Sequence, residues 1–231
     1  MAYKTGIDIV LPDKRLFVRL DYDDTSHLYR SGNMGGLLSL HYYGNTLHYP
    51  RYSAECKARE LSIGCSLHDI GKTKFLDSLD HWERLSEKEK NKIKNGHILE
   101  GARFLEKIGV DGCILDAVLH HHQRWNGENS YPFRLKGLLI STEGLITSLV
   151  DHLDSLVNTR RFKEDRKSLP PEDALRQIES SGEDMFGPSL VSSFKGLIRN
   201  EEKRRKLLGY LKEEIGRFAV EIPESFIGWD C

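Results

Sequence analysis

Ala54, Ala58, Leu61 and Cys65 fall at intervals of four, three and four, and His68 extends the stripe into Leu67-His68-Asp69-Ile70-Gly71-Lys72. That period belongs to an α-helix with one buried face, and it carries a His-Asp pair towards the interior at the helix end. Adjacent ligands of this kind can serve two metal ions at once. The imidazole takes one ion while the carboxylate, with two oxygens, bridges to a second. Two metals about 3.5–4 Å apart clamp the attacking and leaving oxygens of a phosphoryl displacement. The pair gains meaning only if further ligands follow at helical spacing, and they do.

Most of the remaining chain reads as helix. A helix is expected over 35–47, carrying His41. Ser86 with Glu89 forms a capping box that opens a polar helix running to His97. His97, Gly101, Phe104 and Ile108 share its next face. Asp111 is placed to cap a helix bearing Ile114, Val118 and His121, which ends in His120-His121-His122 and a turn-rich stretch over 123–129. Ile146, Leu149, Val150, Leu153 and Val157 stripe a longer helix, with Asp151 and Asp154 three apart. Pro170-Pro171-Glu172 and Gly187-Pro188-Ser189 mark two more helix starts. The ends differ. Runs 6–11 and 15–20, parted by Pro12-Asp13-Lys14, signal a β-hairpin, and 217–222 reads as a strand stopped by Pro223. Two strands alone are marginal in water, so a small sheet joining both termini is expected. The fold class is therefore all-α, a helical bundle with a small N-terminal hairpin paired with a C-terminal strand. The expected division is a hairpin extension over 1–30, a helical domain over 31–215 and a strand and tail over 216–231.

Composition narrows the functional classes. Lys+Arg (34) and Asp+Glu (35) nearly cancel, leaving a formal charge of -1, so no global basic field argues for a long nucleic-acid ligand. No apolar run approaches the ~20 residues of a membrane span, and the N-terminus lacks a signal-peptide pattern. Cys56, Cys65, Cys113 and Cys231 lack the paired spacing of a zinc or redox site and read as reduced thiols of a cytoplasmic protein, three of them core-packed. Imidazole and carboxylate together suit Fe, Mn, Zn or Ni better than Mg or Ca alone. Asp151 lies on an otherwise apolar stretch, where an unpaired carboxylate is costly.

In order, His68-Asp69-Ile70-Gly71-Lys72, His97 with Gly101, His121-His122-Gln123-Arg124-Trp125-Asn126-Gly127, Tyr131-Pro132, Val150-Asp151-His152-Leu153-Asp154, Arg160-Arg161-Phe162 and Phe186-Gly187-Pro188 resemble an HD-GYP domain. That family is a branch of the HD superfamily of metal-dependent phosphohydrolases. The resemblance covers roughly residues 35–200. It implies a phosphodiesterase of bacterial signalling that hydrolyses a cyclic dinucleotide, above all cyclic di-GMP, to a linear dinucleotide or on to GMP. The implied cofactors are two divalent transition metal ions, Fe or Mn, and the implied nucleophile is a metal-bridging hydroxide. The implied metal ligands are His68, Asp69, His97, His121, His122 and Asp151, with Asp69 bridging. The family also has a ligand His on the helix before the HD pair, for which His41 is the best match and His48 the runner-up. His120 falls outside the site, and His27 and His81 read as surface residues. Asp69 and Lys72 carry the catalytic roles, and Lys72, Arg160, Lys163 and Tyr131 are the implied substrate contacts. A third metal in some members needs a Glu one turn before the first His. Leu37 or Gly44 stands there, so a two-metal site is expected.

The match departs at one loop. The family reads Asp-Gly, one residue, then Gly-Tyr-Pro. Here Asn126-Gly127 is followed by two residues and then Ser130-Tyr131-Pro132. Asn keeps a turn-forming side chain, while Ser gives up the easy positive φ of Gly. Two other readings stay open: an HD-type nucleotidase, and a degenerate module that binds a cyclic dinucleotide or docks a partner without turnover. A homodimer or a signalling partner is compatible with either enzyme or module, and no membrane contact is expected.

Overall fold

The computed structural model describes residues 5–46, 51–110, 112–158 and 167–226. Strands β1 (Gly6–Val10), β2 (Arg15–Arg19) and β3 (Arg217–Glu221) form one sheet in the order β2-β1-β3. The hairpin is antiparallel, with Gly6 opposite Arg19, and the backbone N–H of Leu11 closes its turn on the carbonyl of Lys14 at 2.8 Å. β3 runs parallel to β1, with Ile7 opposite Phe218. The expected junction of the two ends is thus present. β1 is central and buried, Ile7 and Ile9 completely so. Between them Asp8 accepts two hydrogen bonds from Arg217, at 2.6 and 2.8 Å, and lies 3.3 Å from Arg15. Those guanidinium groups, Arg217 foremost, hold the Asp8 carboxyl below its usual range against the opposing effect of burial.

The helices follow as α1 (Tyr22–Gly44), α2 (Arg51–Leu67), the short α3 (Leu76–Leu79), α4 (Glu87–Lys107), α5 (Gly112–His120), α6 (Thr142–Val157), α7 (Pro171–Ser181), α8 (Glu183–Phe186), α9 (Pro188–Arg199) and α10 (Glu201–Tyr210). The Ser86–Glu89 capping box is formed, and both proline-marked starts open helices. Among the described residues no helix is long and apolar enough to cross a membrane. Cys65 is buried, while Cys56 and Cys113 are only half-buried, so fewer thiols are core-packed than expected. Asp111 and Cys231 lie outside the described residues.

The largest departure from expectation is α1. It starts at Tyr22, capped by Asp21, whose side chain accepts from the backbone N–H of Asp24 at 2.8 Å. It therefore runs across the expected boundary at residue 30 rather than beginning at Gly35. Its buried face is largely polar for about two turns: Asp24, Thr25, Ser26, His27, Arg30 and Ser31 are all interior. No apolar stripe advertises such a helix. Its middle lies close against α2, where a Cβ on Gly35 would stand 2.4 Å from the sulfur of Cys65. The sheet and the helix ends share one core, because Ile7, Ile9 and Val220 cluster with Leu28, Leu67, Ile70 and Val118. These last four flank His27, His68-Asp69 and His121, so the sheet braces the site from behind.

Candidate metal centre

His68 and Asp69 leave the C-terminus of α2 into a 3-10 turn, Ile70–Phe75. The turn presses on α4: a Cβ at Gly71 would stand 1.9 Å from the carbonyl oxygen of His97. Only glycine allows that approach, and it brings His97 Nε2 within 3.2 Å of Asp69 Oδ1. The end of α5 delivers His121 Nε2 to 3.7 Å from the same oxygen. The other oxygen, Oδ2, faces His68 Nε2 at 3.4 Å and His27 Nε2 at 3.8 Å. Asp151 Oδ1, from α6, stands 3.4 Å from His27 Nε2 and 3.9 Å from His68 Nε2. Two ligand sets result: Asp69, His97, His121 and His122 in one, His27, His68 and Asp151 in the other. The two oxygens of Asp69 point one to each.

The imidazoles are locked for ligation. Nδ1 of His68, His97 and His121 lies 2.8, 3.1 and 2.7 Å from the carbonyl oxygens of Cys65, Ile93 and Val118. A carbonyl only accepts, so Nδ1 carries the proton and a neutral ring keeps its lone pair on Nε2. His27 Nδ1 is fixed in the same way by Asp154 Oδ2 at 2.7 Å. Yet His27 Nε2 stands 3.1 Å from His68 Nε2, and His97 Nε2 3.4 Å from His121 Nε2. Opposed lone pairs at that range repel unless a cation lies between them, so the donor set fits a divalent metal.

The electrostatics agree. Burial pulls His121 down to about 4, helped by His68 and His97 and opposed by Asp69. Burial, with His121 and His97, drives His122 well below its usual range. Both rings are neutral, as ligands must be. His68 is raised: burial opposes it, but the charges of Asp69 and Asp151 outweigh that. The field that draws a proton there draws a metal. Burial alone would raise Asp69, but Lys72 and His68 bring it well below the carboxylate range.

Behind His27 lies a buried network. Asp154 accepts from Arg30 Nε at 2.5 Å and Nη2 at 3.2 Å, and from Asn158 at 2.9 Å. Burial would raise its carboxyl, but His27 and Arg30 hold it strongly depressed. Such carboxylate–histidine pairs fix ring orientation and raise ligand basicity.

His68, Asp69, His97, His121, His122 and Asp151 are therefore brought together as expected, and His41 is not. At about 1.5 Å per residue, the fourteen positions from His27 to His41 amount to about 21 Å along α1. His41 instead contacts Lys203 and Asn45 at the far end of that helix. His27, expected at the surface, is fully buried and stands where the family's first His was sought. The spacing His27-x-x-Arg30 together with Asp151-x-x-Asp154 was the available signal, legible only once the two helices are known to meet. The positions of Leu37 and Gly44 consequently say nothing about a third ion, since one turn before His27 stands Asp23. His120 turns away to Ser141 at 2.9 Å, and His81 is exposed. His48, Arg160 and Lys163 lie outside the described residues.

Lys72 Nζ sits 2.6 Å from Asp69 Oδ2 and 3.2 Å from Asp24 Oδ1. Tyr131 stacks on His122 with ring centroids 4.6 Å apart, forming a wall of the centre. Burial, with Asp151 and Asp69, raises its hydroxyl, which stays protonated. The altered loop is held by Gln123, which donates to the Tyr131 carbonyl at 2.5 Å and accepts from Leu135 N–H at 2.8 Å. Asn126 accepts from the backbone of Glu128, and Ser130 Oγ accepts from that of Arg124, at 2.9 and 2.8 Å. Positive φ falls on Gly127 and Asn129, so Ser130 needs none.

A family model for the HD domain matches residues 25–156, a span that starts just before His27 and ends just after Asp154. The chain belongs to the HD domain family. This HD domain is 32% identical over 143 residues to a cyclic di-GMP phosphodiesterase of Thermotoga maritima, covering 61% of the chain and 38% of the relative. A cyclic di-GMP phosphodiesterase of Pseudomonas aeruginosa is 30% identical over 171 residues, covering 69% and 39%. A 3'3'-cGAMP-specific phosphodiesterase of Vibrio cholerae is 30% identical over 113 residues, covering 48% and 22%. The chain thus spans well under half the length of these curated relatives. Among solved structures, an HDG"Y"P protein of Bdellovibrio bacteriovorus shares the fold with TM-score 0.50 at 17% identity, over 76% of this chain and 53% of that one. A cyclic GMP-AMP phosphodiesterase of Vibrio cholerae does so with TM-score 0.51 at 17% identity, over 83% and 50%.

Proposed function

We propose that this HD domain is a metal-dependent phosphodiesterase that hydrolyses a cyclic dinucleotide, cyclic di-GMP first among them, to the linear dinucleotide or GMP. The observation that carries the reading is Asp69, whose two oxygens face two separate sets of histidines. His97, His121 and His122 would hold one divalent ion and His27, His68 and Asp151 a second, with Asp69 shared. The mixed imidazole and carboxylate donors suit Fe, Mn, Zn or Ni, and the resemblance to HD-GYP domains points to Fe or Mn among them. Bound there, such ions supply a nucleophile by lowering the pKa of water and offset charge on the phosphoryl group.

The chain's own residues do the rest. The carbonyls of Cys65, Ile93 and Val118 hold three rings in one tautomer. Lys72 places a cation at the edge of the centre, where a phosphoryl oxygen gains charge in the transition state. The Tyr131 ring offers a flat face beside His122 for a nucleobase or ribose, and Arg160 with Lys163 would grip the second phosphate. The relatives' names support a cyclic dinucleotide as substrate.

The test is metal analysis of protein purified without chelator, followed by turnover of cyclic di-GMP, 3'3'-cGAMP and mononucleotides with added Mn or Fe(II). Hydrolysis of a cyclic dinucleotide is expected. Turnover confined to mononucleotides would replace this reading with a nucleotidase. Two bound metals with no hydrolysis of any substrate would replace it with a binding module.

A further inference from the structure

We propose that Asp24 is a positioning residue for the metal centre: it is the second seat of the Lys72 ammonium, which moves there when a divalent ion takes Oδ2 of Asp69. The proposal rests on the metal centre proposed above.

Lys72 Nζ lies between two buried carboxylates, 2.6 Å from Asp69 Oδ2 and 3.2 Å from Asp24 Oδ1. Asp69 and Asp24 are only 3% and 1% exposed. The nearer contact is with the very oxygen that faces His27 and His68, so the ammonium and an ion of that half compete for it. Asp24 belongs to neither ligand set. It sits in the first turn of α1, one turn before His27, with its backbone N–H fixed on the Asp21 cap. Its other oxygen, Oδ2, is buried with no hydrogen-bond partner among the described residues. A buried carboxylate oxygen left unmatched is costly. An ammonium has three donors, and Lys72 is the cation already in contact with this carboxylate. Displacement from Asp69 would carry Lys72 onto both oxygens of Asp24, leaving Asp69 to the ions. Asp24 also supplies the negative charge that keeps a lysine beside two cations favourable. Without it, Lys72 keeps its hold on Asp69, and metal must expel it without the Asp24 carboxylate to receive its charge.

The experiment is calorimetric titration of MnCl2 into the full chain stripped with EDTA. Asp24→Asn should bind manganese at least about tenfold more weakly than wild type, the scale on which groups behind metal ligands act. Asp24→Glu should keep wild-type affinity. Adding Lys72→Met to Asp24→Asn should restore it, because the competitor is gone. In the Lys72→Met background, Asp24→Asn should change nothing, a comparison that stands even if Asp24→Asn alone does not fold. Wild-type affinity in Asp24→Asn, or a further loss when it is added to Lys72→Met, overturns the role of Asp24 alone. Wild-type protein that binds no manganese overturns the metal centre itself.

Discussion

At the scale of single residues, the two histidines of α1 make the sharpest contrast. His27→Ala should release metal from its half of the centre, and His41→Ala should leave metal content unchanged, both read by elemental analysis of purified protein. The opposite pattern would restore His41 as the first ligand. Asp154 acts through His27 and Arg30 together. Asp154→Asn should weaken metal binding roughly 10- to 100-fold by freeing the His27 ring. It should also cost about 3–5 kcal/mol of stability, because the buried charge of Arg30 loses the carboxylate that balances it. The sign with pH follows from the depressed carboxyl. Its stabilisation is present above the ordinary carboxylate range and is lost as pH falls through that range towards the folded value. Urea unfolding of EDTA-treated protein should therefore weaken steeply with acid in wild type and less so in Asp154→Asn.

At the scale of elements, the approach of the 3-10 turn to α4 and the loop after α5 govern different properties. Gly71→Ala would drive a methyl group into the His97 carbonyl. Overpacking of that kind costs about 1–3 kcal/mol and should move His97 off Asp69, so melting temperature and metal content should fall together. Gln123→Ala should leave metal content intact while removing both ties of the loop, at about 1–3 kcal/mol for the buried groups left unmatched. Its signature should be a raised KM with full metal occupancy; loss of metal would show that the loop supports the ligands directly. The composition of this loop made a changed path easy to foresee. How the extra residue is absorbed, at Asn129 with Ser130 turned inward, needed the surrounding hydrogen bonds.

At the scale of the molecule, the sheet and the centre share one core. Ile9→Ala removes a fully buried side chain from the cluster containing Leu67 and Ile70, and should cost about 2–5 kcal/mol by thermal or denaturant unfolding. A cost near zero would mean that the sheet is merely attached to the helices. Its alternating strands, the Ser86–Glu89 capping box and the clustered side chains on α4, just after α5 and on α6 were legible in the sequence. Each is written in local spacing: period two for a strand, three to four for an apolar helix face, and motif order for the ligands. His27 was not legible, because the helix that bears it buries polar residues whose cost is offset by partners distant in sequence, Asp154 and Arg30 meeting across 124 positions among them. The sequence alone determined the helical class, the sheet at the ends and six of the seven side chains that cluster at the centre. Tertiary structure alone decided the seventh, since hydrophobic period is a property of neighbours along the chain and the pairing of buried charge is a property of neighbours in space.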